Sequence, residues 1–147
     1  MVRHSGASAV VPFLDDPQGP DPEVLLIRQY RYAAEESLFE IPAGRLDPGE
    51  APEACALREL REETGYLAGS VELLTTIFTT PGFTDERIHL FLATDMVSGE
   101  ANLESDEILD LHRMPLSLAI RLIHSGEVKD AKTIVGLLLA ASHRRTE

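Results

Sequence analysis

The chain has little of what a disulfide framework, a membrane span or a nucleic-acid surface needs. Of its 147 residues one is cysteine, Cys55, so no internal disulfide can form and a reducing, cytoplasmic setting is the expectation. Its place in a helical pattern favours packing or simple surface exposure over reactivity. No apolar run approaches the roughly eighteen residues of a spanning helix, the opening residues lack a signal-peptide pattern, and there is no internal repeat or low-complexity tract. Basic residues are also scarce: 13 Lys and Arg against 25 Asp and Glu leave a net charge of −12. Phosphate attraction draws on Lys and Arg, so this balance argues against nucleic acid or an anionic membrane as a partner. A small anionic substrate would have to enter through a bridging metal and local arginines. What is present is apolar material, 44% of the residues, enough for the core of one domain over residues 1–147 and too little for two.

The most informative stretch is Gly44 to Tyr66, GRLDPGEAPEACALRELREETGY. Asp47-Pro48-Gly49 predicts a turn, Pro52 suits a first helical turn, and Gly65 suits a helix stop. At helical spacing Ala56, Leu57 and Leu60 share an apolar arc, and Glu59, Glu62 and Glu63 crowd a neighbouring one. Like charges three and four residues apart destabilise a bare helix, so the cluster calls for a cation. Carboxylate oxygens suit a hard divalent ion such as Mg²⁺ or Mn²⁺, which can neutralise a diphosphate and lower the pKa of a bound water. A solvated acidic face is the alternative.

The spacing of these residues resembles the Nudix box, G-x5-E-x7-R-E-U-x-E-E-x-G-U with U bulky and apolar, and fills each specified position. The resemblance implies a hydrolase of nucleoside diphosphates linked to another moiety. It implies Glu59 and Glu63 as the main metal ligands, Glu62 as a further ligand or catalytic neighbour, and the backbone carbonyl of Ala43 as another donor. Arg58 and Glu50 would form the internal ion pair between helix and loop, with Gly44 and Gly65 as the motif's glycines.

Along the rest of the chain, Gly6 to Leu14 and Glu23 to Tyr30 read as strands, joined across the turn-rich DDPQGPDP in a plausible hairpin. Ser37 to Ala43 is a strand stopping at Pro42. Ser70 to Thr80 and Arg87 to Thr94 are strands that should pair. Ile108 to Met114 is the last strand, and Leu116 to His124 and Thr133 to His143 are apolar helices with no chemistry assigned. His112, His124 and His143 sit at no ligand spacing.

Arg28 and Arg31, near the end of the second strand, could grip a phosphate together; pairing with surface acids is the alternative. Arg31 stands in a Q-Y-R segment similar to that of ADP-ribose pyrophosphatases, which implies a substrate role. Glu40 resembles the acid of the E-I-P-A-G segment of the same enzymes, near the active site, with a buried salt-bridge acid as the alternative. Pro81 follows Gly65 by sixteen positions, where that subgroup has a proline, and P-G-F-T-D-E matches its loop. This implies Glu86 as a substrate or metal contact and Phe83 as a wall of the sugar or base pocket, although either residue could instead only stabilise the turn. The polar stretch Ser98 to Glu107 is a loop by composition, and the resembling enzymes carry their catalytic base there. Glu104, Asp106 and Glu107 are the candidates for aiming the attacking water.

The expected fold is therefore α+β, a Nudix-type α/β/α sandwich with a mixed sheet and flanking helices. The expected reaction is Mg²⁺- or Mn²⁺-dependent hydrolysis of ADP-ribose to AMP and ribose 5-phosphate. Another nucleoside diphosphate derivative, a nucleotide sugar or dinucleotide, is the nearest rival, and a silent nucleotide-binding sensor is a more distant one. ADP-ribose enzymes usually start with an extra N-terminal sheet segment exchanged between subunits. This chain opens almost at the first core strand, which bears on adenosine recognition and on the homodimer rather than on the metal chemistry.

Overall fold

In the computed structural model, residues 6–99 and 110–143 are described. Among these residues seven strands and three helices follow in the order β1 (Ala7–Pro12), β2 (Glu23–Arg31), β3 (Glu36–Glu40), β4 (Ala43–Arg45), α1 (Pro52–Thr64), β5 (Tyr66–Phe78), β6 (Arg87–Ser98), β7 (Asp110–Pro115), α2 (Leu116–His124) and α3 (Ala131–His143). The α+β class is as expected, but the strands divide into two sheets. One is four-stranded and mixed, in the order β4-β1-β6-β5, with β1 parallel to β6. The other is three-stranded and antiparallel, β3-β2-β7.

The expected hairpin between the first two strands does not form. β1 and β2 lie in different sheets, and the segments at their near ends meet in one isolated bridge, Phe13 with Val24. Each strand is instead central to a sheet of its own, a place its composition suits. All six β1 residues and the run Val24 to Ile27 are buried, and a strand covered on both faces wants the middle of a sheet. Each takes such a place, β1 between β4 and β6, β2 between β3 and β7. The expected pairing of the fifth and sixth strands does form, with an irregularity between Leu73 and Thr75.

β1 organises two apolar layers by simple alternation. Val10 packs with Ala56 and Leu60 of α1 and with Phe91 and Ala93. Ala9 and Val11 face the larger core, with Leu26, Ile41, Leu90 and Leu137. Gly136 lets α3 approach closely, since a Cβ there would lie 3.0 Å from Val11 Cγ2. Among the described residues no helix is long and apolar enough to cross a membrane.

The chain changes sheets at Ile41-Pro42, and this step places the site. Pro42 cannot donate to a ladder, and its carbonyl accepts the Val10 N–H at 2.9 Å. β3 ends at Glu40 and β4 starts at Ala43 in the other sheet, directly beneath α1. The anticipated single strand from Ser37 to Ala43 is thus two short ones.

Candidate active site

The loop between β4 and α1 is held by one guanidinium. Arg58 donates through Nε to Glu50 Oε2 at 2.9 Å and through Nη2 to Glu50 Oε1 and the Arg45 carbonyl, both at 3.0 Å. The loop closes on itself as well, because the Asp47 N–H donates to Glu50 Oε1 at 3.0 Å. The Arg58 hydrogen bonds, helped by that N–H, hold the Glu50 carboxyl at about 2, and Arg58 itself is raised, chiefly by Glu50. The expected loop-to-helix ion pair is present in bidentate form. Cys55 is buried beneath it and burial pushes its thiol up, as suits packing rather than reactivity.

α1 begins with Pro52 in its first turn and ends at Gly65, in the left-handed region with φ 78°, as its sequence predicts. Its acids do not share one environment. Glu59 lies against Gly44 so closely that a Cβ on residue 44 would fall 2.2 Å from its carboxylate. Burial raises Glu59 and the neighbouring Arg58, 2.8 Å away, counteracts this. Glu63 is the most perturbed. Burial pushes it up to about 8, with the Ala43 N–H at 2.8 Å opposing the shift and the charge of Glu59 adding to it. Glu62 is half exposed and reaches Arg58 Nη1 at 3.2 Å.

Among the described residues no three acid, histidine or cysteine side chains converge into a ready-made metal cage. The donor set nevertheless fits a hard divalent ion. Two adjacent carboxylates, Glu59 and Glu63, are charged only at a desolvation cost, and a cation between them would remove it. Glu62 and the Ala43 backbone stand next to them on α1 and β4.

Beside this helix opens a cavity of about 500 Å³, lined by Arg31, Ala43, Gly44, Thr79, Glu86 and Lys132 among others. Arg31 grips Glu40 bidentately, Nε to Oε2 at 2.6 Å and Nη2 to Oε1 at 2.8 Å. Glu40 is 3% exposed. Burial opposes its ionisation, yet hydrogen bonds from Arg31 and Lys132 outweigh that and lower it below the ordinary value. Glu40 is therefore both a buried salt-bridge acid and a neighbour of the cavity. From the loop leading into β6, Glu86 lines the cavity and accepts from Thr79 Oγ1 at 2.6 Å. The Pro81 turn is closed by the Phe83 and Thr84 N–H groups on the Thr80 carbonyl, at 2.9 and 3.0 Å.

Two expected contacts stand apart from this cavity. Arg28, three residues from Arg31, projects from the other face of β2 and lies 5.4 Å over the Phe39 ring, so the two arginines form no joint clamp. Phe83 is 78% exposed and is not among the lining residues. Glu104, Asp106 and Glu107 lie outside the described residues.

Sequence reasoning missed the start of α3. Lys132 reaches Glu40 Oε1 at 2.9 Å and both Asp130 oxygens at 3.1 and 3.0 Å. Thr133 donates its hydroxyl to Asp130 at 2.6 Å and accepts the Ile41 N–H at 3.0 Å. An aspartate three residues before a threonine is a legible helix start. That its neighbour meets an acid 92 positions away leaves no local trace.

Comparison with known proteins gives a consistent picture. The NUDIX domain family profile matches residues 4–135. ADP-ribose pyrophosphatase of Bacillus subtilis is 41% identical over 135 residues, 90% of this chain and 70% of that protein. GDP-mannose pyrophosphatase of Citrobacter koseri is 41% identical over 121 residues, 76% of this chain and 63% of that protein. Among solved structures, that of an ADP compounds hydrolase superposes with a TM-score of 0.83 at 26% identity, covering 95% of this chain and 72% of the other.

Proposed function

The chain belongs to the NUDIX-domain family of pyrophosphohydrolases, and from that premise we propose that its reaction is the Mg²⁺-dependent hydrolysis of ADP-ribose to AMP and ribose 5-phosphate. The observation that carries this reading is the cavity beside α1, where Arg31 and Glu86, from segments distant in sequence, face the loop of Gly44. Those two residues belong to the Q-Y-R and P-G-F-T-D-E segments that resemble ADP-ribose pyrophosphatases, and the Bacillus subtilis relative supports the same substrate.

In this reading residues 1–147 form one catalytic unit. Glu59 and Glu63, with Glu62 and the Ala43 carbonyl, would hold the divalent ion, which supplies charge neutralisation at the diphosphate and acidifies a water. Gly44 lets the Glu59 carboxylate sit against the backbone. Arg58 fixes the loop to the helix and, through Nη1, restrains Glu59 and Glu62. Arg31, its Nε and Nη2 committed to Glu40, directs its remaining N–H groups at the diphosphate. Glu86 takes a sugar hydroxyl, its carboxylate oriented by Thr79. An acid among Glu104, Asp106 and Glu107 takes the proton of the attacking water.

A second reading is favoured by one specific observation, the 41% identity to a GDP-mannose pyrophosphatase. In it the same phosphate machinery acts on a nucleotide sugar. A panel of ADP-ribose, GDP-mannose and dinucleotides with Mg²⁺ and Mn²⁺, products resolved by ion-exchange chromatography, separates the two. ADP-ribose is expected to give the highest kcat/KM, with AMP as the nucleotide product. A preference for GDP-mannose overturns the first reading in favour of the second.

A further inference from the structure

Arg31 leaves the end of β2 with its side chain about half exposed, and a long cation in that position has many rotamers to lose. Glu40 restrains it, through two short contacts to one buried carboxylate. A bidentate arginine–carboxylate pair taken alone is neutral, so an arriving diphosphate would meet a dipole rather than a cation.

Lys132 alters that balance. Its ammonium, largely buried, donates to the same Oε1 that accepts from Arg31 Nη2, so two cations face one carboxylate. Lys132 also binds Asp130 through both oxygens. Asp130 is occupied in turn by the start of α3, accepting from the Thr133 N–H at 3.2 Å and from its hydroxyl at 2.6 Å, where the helix end is itself positive. Burial opposes the charge on Lys132, but Asp130 and Glu40 outweigh it and raise the group above its ordinary value, so the ammonium persists. Removing it would leave Glu40 to Arg31 alone and make the cavity one unit more negative.

We infer that Lys132 is a positioning residue for Arg31. By sharing Glu40 and tying it to the N-terminus of α3, it fixes the place of the guanidinium and keeps its charge available to a diphosphate. This rests on the reading above in which Arg31 binds the diphosphate.

The test is steady-state kinetics with saturating Mg²⁺ on whichever of ADP-ribose or GDP-mannose the wild type hydrolyses. Lys132→Gln and Lys132→Arg are compared in the native and Arg31→Gln backgrounds. Lys132→Gln, which keeps a donor for Glu40 but no charge, should raise KM roughly tenfold or more with kcat within about threefold, the size expected when a charged hydrogen bond from Arg31 to the substrate is misplaced. Lys132→Arg should recover most of the loss. In the Arg31→Gln background the same change should move KM less than about twofold, because positions acting through one group are not additive. Should the glutamine variant not fold, Lys132→Met fills a similar volume without seeking a partner, and the same rise in KM is expected. An equal rise in both backgrounds, or unchanged KM with lost thermal stability, overturns the inference and leaves the function standing. A wild type that cleaves neither compound overturns the function itself.

Discussion

The raised carboxyl of Glu63 makes divalent-ion binding a proton-releasing event below about pH 8. With its value near 8, Glu63 is roughly nine-tenths protonated at pH 7, and an ion that binds the carboxylate must first displace the proton. Apparent affinity then falls about tenfold at pH 7 and about a hundredfold at pH 6 relative to pH 9, at 1.36 kcal/mol per unit. The same shift has a stability consequence with a definite sign. The folded, metal-free protein holds the Glu63 proton more tightly than the unfolded chain, so it loses stability as pH rises from about 4.5 to 8, and bound metal should cancel that loss. Calorimetric Mg²⁺ or Mn²⁺ titration in paired buffers of different ionisation enthalpy measures the release. Near one proton per ion is expected at pH 6.5 to 7, falling toward zero above pH 9, and Glu63→Gln should bind weakly with no release. Affinity flat from pH 6 to 9, with no buffer dependence of the heat, would refute the placement of Glu63 at the metal.

Substitutions at three positions probe the geometry of the site and its support. Gly44→Ala should displace the Glu59 carboxylate, which would lie 2.2 Å from the new methyl; the expected result is weakened Mn²⁺ binding by electron paramagnetic resonance with folding retained. Arg58→Lys should fail to restore what Arg58→Ala loses, because only the planar fork serves Glu50 and the Arg45 carbonyl at once; turnover of the two variants, compared at equal metal, checks this. Thr133→Val keeps the volume but strips the buried Ile41 N–H and Asp130 of a partner. It should cost about 1–3 kcal/mol in chemical denaturation.

The acidic helix α1 was legible because its signals are local. A proline in the first turn, a left-handed glycine at the end and acids at one-turn spacing depend on residues within a few positions of each other. The two-sheet division was less so. Val10 and Leu26 sit in equally apolar runs, and nothing within either run says whether its neighbour is the next strand or one from far along the chain. The contrast between Arg28 and Arg31 shows the same limit: alternation put them on opposite faces of β2, yet only the folded sheet shows that the face carrying Glu40 is the one beside the cavity.

The sequence by itself determined the chemistry available, a helix of carboxylates behind a glycine loop stitched by Arg58 to Glu50, because short-range periodicity and capping are written within a single segment. Only the tertiary structure decided which cations line the cavity beside it. The meeting of Lys132 with Glu40 follows from burying β1, β3 and α3 against one core, and long-range burial leaves no mark in any one stretch of chain.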